Sequence, residues 1–442
     1  MRKAFVMTAC VMAFAILFTA CGSGAGTAQN SQQTGAPSDS TVAGKASGDQ
    51  VAIRFSTFAD EIRFGNVQKQ LADFESKNPN IKVEVEHQAF ENYYEKKMAE
   101  TAAHQLPDVM DFTPGYGAYW IYRDLLMDIK PFLAKDPSVK VEDYDQTIVG
   151  YFTVGDKLYA LPYDTNAELL YYNKDLLDEA GVAYPTDKWT YDDLGNAMTT
   201  AVAALKAKGK TVYGLAAPID LGWCGNGFFD ANGTPLIGKD GKIGVNQDTI
   251  PMLDMWVGWI KAKLIPAPEP ANPTNVTTGG STTFVNDKSL FLFAPCGVKS
   301  FEDAKMNFGV VPPPYGKSGL RGAKLGGGWA ANKDTKYPEQ AYALEKFLWS
   351  EQFDRAYIIE SSSGVPAYTP LINEIQGSLK DSAECVMADG YTWMSAVQGA
   401  NEVWALKDRL LSDLWIGNIS SKQWVDEMTR QGNEAIDNAS GN

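Results

Sequence analysis

Two short stretches carry groups whose types and spacing could do chemistry. Phe58, Asp60 and Glu61 fall where an opening strand gives way to a helix, and Tyr163-Asp164-Thr165-Asn166 is a polar cluster between two runs rich in β-formers. Neither stretch suits catalysis. Adjacent carboxylates such as Asp60 and Glu61 do not form the facing pair, about 5–9 Å apart, that glycoside hydrolysis requires. The chain has two histidines, His87 and His104, so a Ser–His pair or a multi-histidine metal site has almost no material. No Cys-x-x-Cys pair or zinc spacing is present, and the Gly326-Gly327-Gly328 run does not read as a phosphate loop because no Gly-Lys-Ser/Thr follows it. These residues can instead hydrogen-bond and stack. Phe58, Tyr116, Trp223, Trp329 and Trp393 offer flat faces, while Asp60, Glu61, Asp164 and Asn166 offer acceptors and donors for a small ligand. Core packing is the competing reading for each aromatic, and a solvated helix start is the competing reading for Asp60 and Glu61.

The polar cluster sits inside Gly155–Lys174, a segment with a turn at Gly155-Asp156 and strand-like runs over Leu158–Leu161 and Glu168–Tyr172. Pro162 cannot donate to a sheet ladder and so marks where one strand leaves a sheet before the next begins. Asp156-Lys157-Leu158-Tyr159-Ala160-Leu161-Pro162 and Leu170-Tyr171-Tyr172-Asn173-Lys174-Asp175-Leu176 closely resemble the hinge of extracellular solute-binding proteins of family 1, the maltose- and oligosaccharide-binding group of ABC importers. Leu71–Val83 and Leu106-Pro107-Asp108-Val109 resemble the first lobe of that family. The resemblance runs from about Val51 to the C-terminus. It implies a periplasmic-binding-protein-like type II fold: α/β, two lobes, each with a central mostly parallel sheet flanked by helices, joined by a hinge. It implies Tyr163, Asp164 and Asn166 as ligand-facing hinge groups. It further implies a loop at Pro295 aimed at the ligand and a Gly-rich run, Gly326-Gly327-Gly328 before Trp329, whose backbone approaches the ligand.

Residue order supports that frame. Val51–Phe55, a helix with Val67, Leu71 and Phe74 on one face, alternating Ile81, Val83 and Val85, a helix from Glu91 to Ala103 and a strand to Phe112 read as β-α-β-α-β. Ligands of such sheets lie beyond the C-terminal strand ends, here Phe58–Glu61 and Thr113–Tyr116. Thr190 and Asp193 form a capping-box pattern. Met252, Met255, Trp256, Trp259 and Ile260 repeat at helical spacing and read as core. Asp230-Ala231-Asn232-Gly233 lacks the closing Glu of a calcium loop, so Asn232-Gly233 and Asp240-Gly241 read as hairpin turns. Phe308–Pro314 reads as the return strand into the first lobe, and Gly364–Ala367 as the crossing back. The expected division is a signal peptide at 1–20, a tether at 21–50, lobe 1 at 51–162 with 307–358, and lobe 2 at 163–306 with 359–442.

Arg2-Lys3 and the apolar run to Ala20 form a secretory signal. Leu17-Phe18-Thr19-Ala20-Cys21-Gly22 resembles a bacterial lipobox, which implies lipidation at Cys21. Residues 22–50 are Gly-, Ser-, Thr-, Ala- and Gln-rich, cannot bury enough apolar surface to order, and would reach roughly 30 Å as a flexible tether. Cys224, Cys296 and Cys385 remain, an odd number in which a Cys224–Cys296 disulfide is conceivable. A net charge of −15 argues against nucleic acid or anionic lipid as partner. The 11 Trp and 20 Tyr exceed what a plain core needs; stacking surfaces for sugar rings are one explanation and two large cores with rims are the other. The expectation is a lipid-anchored, monomeric capture protein outside the cytoplasmic membrane. It would need no cofactor or metal, bind a sugar or oligosaccharide between its lobes and deliver it to an ABC permease. Its rivals are a same-fold binder of a polyamine or phosphodiester, a surface carbohydrate-active enzyme, and a sensing subunit of a signalling receptor.

Overall fold

The computed structural model describes residues 50–216, 226–238, 240–266, 282–297, 299–393 and 397–440. The signal, Cys21 and the tether lie outside these, as do Trp223 and Cys224. Strand β1 (Val51–Thr57) buries Ile53 and Phe55 completely. The helix Glu61–Lys77 buries Val67, Leu71 and Phe74 as the periodicity predicts, and β2 (Ile81–His87) alternates buried and exposed residues. After the helix Phe90–Ala102, β3 (Val109–Phe112) completes the parallel set, with β1 between β2 and β3.

The segment that follows is built of short pieces. A hairpin of β4 (Thr153–Val154) and β5 (Lys157–Leu158) turns at Gly155, whose φ of +59° suits glycine. Then come β6 (Leu161–Pro162) and, one residue on, the ten-residue β7 (Asp164–Asn173). The predicted break at Pro162 is where the chain changes sheet.

Around β7 the second sheet assembles from β8 (Tyr213–Ala216), β9 (Ser289–Pro295), β10 (Phe308–Val311), β11 (Gly322–Leu325), β13 (Val365–Pro366) and β14 (Tyr391–Trp393). Its order is β14-β11-β7-β9-β8, with β10 and β13 pairing other parts of β7. Strand β7 is antiparallel to β9, β10, β11 and β13. It is buried on both faces, with Leu170 and Tyr172 in one core and Ala167, Leu169 and Tyr171 in the other, because alternate side chains of a strand point to opposite faces. The expected mostly parallel sheet is thus corrected here: the sheet is mixed, and its long central strand is antiparallel to its neighbours. The Phe308 strand is corrected too. It pairs with Leu170–Asn173 and stays in the second sheet.

Return to the first sheet comes only with β12 (Gly328–Ala331), antiparallel to β3 and β6, giving the order β2-β1-β3-β12-β6. A third passage runs from Tyr357 and Ile358, in the first core, to Val365 opposite Thr165. Asn232 ends the helix Asn226–Asn232 and Gly233 follows at φ +82°, so this pair is a helix terminus rather than the hairpin expected. The Asp240-Gly241 turn does join an Ile237–Ile243 bridge. Thr190 and Asp193 form the predicted capping box.

Candidate functional site

Five of the predicted site residues gather where β6, β7, β11 and β12 meet, and there they hold the chain together. The Tyr163 hydroxyl donates to Asp111 Oδ1 at 3.0 Å, and Thr57 Oγ1 donates to Asp111 Oδ2 at 3.0 Å. Burial pushes the Asp111 carboxyl up to about 7, against the lowering effect of these hydroxyls and of Arg63. The Gly327 amide donates to Asp164 Oδ1 at 2.5 Å, and burial pushes the Asp164 carboxyl up to about 6. Asn166 Oδ1 accepts the amides of Ala167 and Cys296, both at 2.9 Å. Trp329 is fully buried against Phe55, Tyr163 and Tyr357. These contacts give Asp164 Oδ1, Asn166 Oδ1, the Tyr163 hydroxyl and the Trp329 ring structural partners at the junction.

The glycine run serves the same junction. A Cβ on Gly326 would stand 2.0 Å from the Asp164 carbonyl oxygen, one on Gly327 1.9 Å from Tyr163 Oη, and one on Gly328 2.8 Å from Phe152. The close approach that glycine permits is therefore to the hinge strand. Among the remaining predictions, Asp60 caps the helix Glu61–Lys77, accepting from the Ile62 and Arg63 amides at 3.1 and 2.9 Å and pairing with Arg63 at 2.7 Å. Glu61 is exposed in its first turn. Phe58 is packed among Phe90, Tyr93 and Tyr94. Pro295 ends β9 opposite Glu168. Tyr116 lies on the helix Pro114–Tyr122, its side chain outside what is described, and Trp223 is outside the described residues. Cys296 and Cys385 are buried free thiols, each pushed up to about 12 by burial.

Trp393 is placed differently. It is 45% exposed and lines a cavity of about 850 Å³ between elements of the two sheets. The first-sheet side supplies Ile121, Tyr122, Gly150, Tyr151 and Val154; the second supplies Asp230, Ile237, Ser318, Leu320 and Thr392. The six-membered ring of Trp393 packs over Gly150, with ring atoms 3.5–3.8 Å from where a Cβ would stand, ordinary van der Waals contact. Tyr122 is 40% exposed and presents a second aromatic face. The wall of helix Gln146–Tyr151 is fixed by Asp145, which caps it through the Thr147 amide at 2.9 Å and receives Lys324 Nζ from β11 at 2.9 Å. A cavity of about 370 Å³ beside Trp256 and Met252 is lined from the second-sheet side alone. Only the larger one gathers groups from both sides. Sequence reading missed Tyr122, Tyr151 and Asp230. Their local patterns, an aromatic-rich helix and a helix end, look like core or turn until the two sheets are brought together.

With this geometry in view, comparison with known proteins is informative. The profile of the bacterial extracellular solute-binding proteins matches residues 59–352. The maltodextrin-binding protein MdxE of Bacillus subtilis is 27% identical over 371 residues, 79% of this chain and 82% of the relative. A probable ABC transporter-binding protein of Deinococcus radiodurans is 26% identical over 267 residues, so the chain spans 58% of that relative's length and 56% of its own is covered. Among solved structures, an ABC substrate-binding protein of Listeria monocytogenes in complex with cycloalternan superposes with a TM-score of 0.73 at 19% identity, covering 89% of this chain and all of the other. The maltose-binding protein MalE of the same organism, in complex with maltose, gives 0.67 at 20% identity over 88% of this chain and 98% of the other. These structures share the two-lobed fold, and the profile match covers well over half of the sequence. The chain belongs to the bacterial extracellular solute-binding protein family.

Proposed function

We propose that this protein captures a sugar or oligosaccharide in the cleft between its two sheets and presents it, without chemical change, to the membrane subunits of an ABC importer. The observation that carries this reading is the exposed Trp393 indole on one wall of the 850 Å³ cavity, with Tyr122 on the other side. A flat apolar face suits the C–H face of a sugar ring, and the cavity falls within the size range of small-molecule sites. Relatives named for maltodextrin and galactooligosaccharide binding support the same ligand class. The adjacent Asp60 and Glu61 sit at a helix start, apart from the residues that line the cleft, which supports capture over hydrolysis.

In this reading the sheets are the cores of two lobes. The first comprises residues 51–162 and 328–358, and the second takes the rest of the described chain, including β10 and β11. The lobes hinge at Tyr163, at Gly326-Gly327 and between Ile359 and Val365. Ligand contacts from both sides favour the closed form over the open one. The mature protein is a monomer held outside the cytoplasmic membrane by lipid on Cys21. The test is thermal unfolding of the full chain against a panel of neutral mono- and oligosaccharides, spermidine and a phosphodiester, with product analysis. A saccharide at 100 times its Kd adds about 2.7 kcal/mol. Stabilisation by a saccharide without breakdown products supports capture; stabilisation by spermidine alone, or hydrolysis, overturns it.

A further inference from the structure

The residues lining the cleft carry an unbalanced charge. Among the described residues they include two carboxylates, Asp230 and Asp240, and no Lys, Arg or His. Asp240 is exposed and accepts the Lys242 amide of its own loop at 3.1 Å. Asp230 is held by its backbone: its carbonyl accepts Ser318 Oγ at 2.8 Å and the Gly233 amide at 2.9 Å. Its carboxylate has no hydrogen-bond or ionic partner among the described residues, although the residue is more than half buried. Burial alone pushes this carboxyl up to about 7. An acid kept in such a place without a cation is costly to ionise, and a positive group arriving beside it removes that cost. The same cleft presents the exposed faces of Trp393 and Tyr122, whose π-electron clouds also attract cations.

We propose that the cleft selects amino-substituted saccharides, with the sugar's ammonium group pairing with the Asp230 carboxylate, and that it disfavours uronates. This specificity rests on the saccharide-capture reading given above. A neutral sugar would offer Asp230 hydroxyl donors only. An ammonium adds a charge-assisted hydrogen bond, which is roughly twice as strong as a neutral one. A uronate would place a further negative charge beside Asp230 and Asp240, where the described lining residues supply no cation.

The experiment is calorimetric titration of the full chain and its Asp230→Asn variant with maltotriose, its 6-amino and 6-carboxyl derivatives, chitotriose, triacetylchitotriose and spermidine. The two trisaccharide sets keep linkage constant while charge changes. The expected result is that an amino form binds about tenfold or more tighter than its neutral parent, and that the carboxyl form binds most weakly. That advantage should shrink with added salt and vanish in the Asp230→Asn protein. Circular dichroism and thermal unfolding check that the variant is folded, and removal of an unpaired buried carboxylate should not lower its stability. Equal or tighter binding of the neutral parent, or an amino preference that survives Asp230→Asn, overturns the proposal while leaving saccharide capture intact. Binding of spermidine with no saccharide bound overturns both.

Discussion

Lys324 Nζ lies 2.9 Å from Asp145 Oδ2, with the two side chains 5% and 4% exposed, and this pair ties the second sheet to the helix that walls the cleft. Thr165 on β7 donates to the same oxygen at 2.8 Å. Burial tends to raise the Asp145 carboxyl, but Lys324 and the hydrogen bonds from Lys324, Thr165 and Thr147 outweigh it and hold the group below its ordinary range. One carboxylate thus joins three elements at the point where the chain changes sheet.

Replacing Lys324 with Met leaves that carboxylate buried and uncompensated, and should cost about 3–5 kcal/mol in urea unfolding at pH 7. Because the folded-state value of Asp145 is depressed, its contribution is present above an unfolded value of about 3.9 and is lost as pH falls through the folded value. Lys324→Met should flatten this acid limb, and adding Asp145→Asn should recover part of the loss. A single variant as stable as the parent would remove the pair from the account of the hinge.

Asp111 has the opposite sign. Its folded value is raised to about 7, so the stabilisation it gives is complete below about pH 3.9 and is lost as pH rises toward 7. Stability of Asp111→Asn should therefore depend less on pH between about 4 and 7 than that of the parent, as read from unfolding curves across that window. An unchanged slope would mean that the carboxyl titrates normally.

Two tryptophans separate scaffold from site. Trp329→Ala removes a fully buried ring and should cost about 3–5 kcal/mol of stability. Trp393→Ala removes an exposed one, and should leave the unfolding temperature nearly unchanged while weakening saccharide binding about tenfold or more. Comparable losses of stability in both variants would count against Trp393 as a ligand platform.

Gly326 is the sharpest steric test of the junction. A methyl group there meets a backbone carbonyl, which cannot swing away as a flexible side chain can. Gly326→Ala should destabilise the protein by about 1–3 kcal/mol and alter the lobe opening seen by small-angle scattering. Gly65→Ala, with open space around its Cβ position, is the control and should be neutral or slightly stabilising.

Much was determined by sequence alone. Apolar spacing placed the helix face Val67–Leu71–Phe74 and the alternating strand Ile81–Val83–Val85; Gly155 marked a turn and Pro162 marked the point where one strand must end. Thr190 and Asp193 announced a capped helix start. These are local effects, fixed by periodicity, backbone angle and a missing amide donor, so neighbours in sequence are enough to read them.

What the tertiary structure decided was which partner each polar group meets. Asp164 and Asn166 have the composition of ligand groups, and backbone amides of Gly327 and Cys296, over 100 residues away in sequence, take one oxygen of each. Trp329 and Trp393 are the same residue type, yet one closes a core and the other stands exposed over Gly150. Phe308–Val311 carries no label saying which sheet edge it will join. Asp230 looks like part of a turn until the first-sheet helices stand opposite it. Burial, pairing and desolvation depend on atoms distant in sequence, so only the folded chain could assign them.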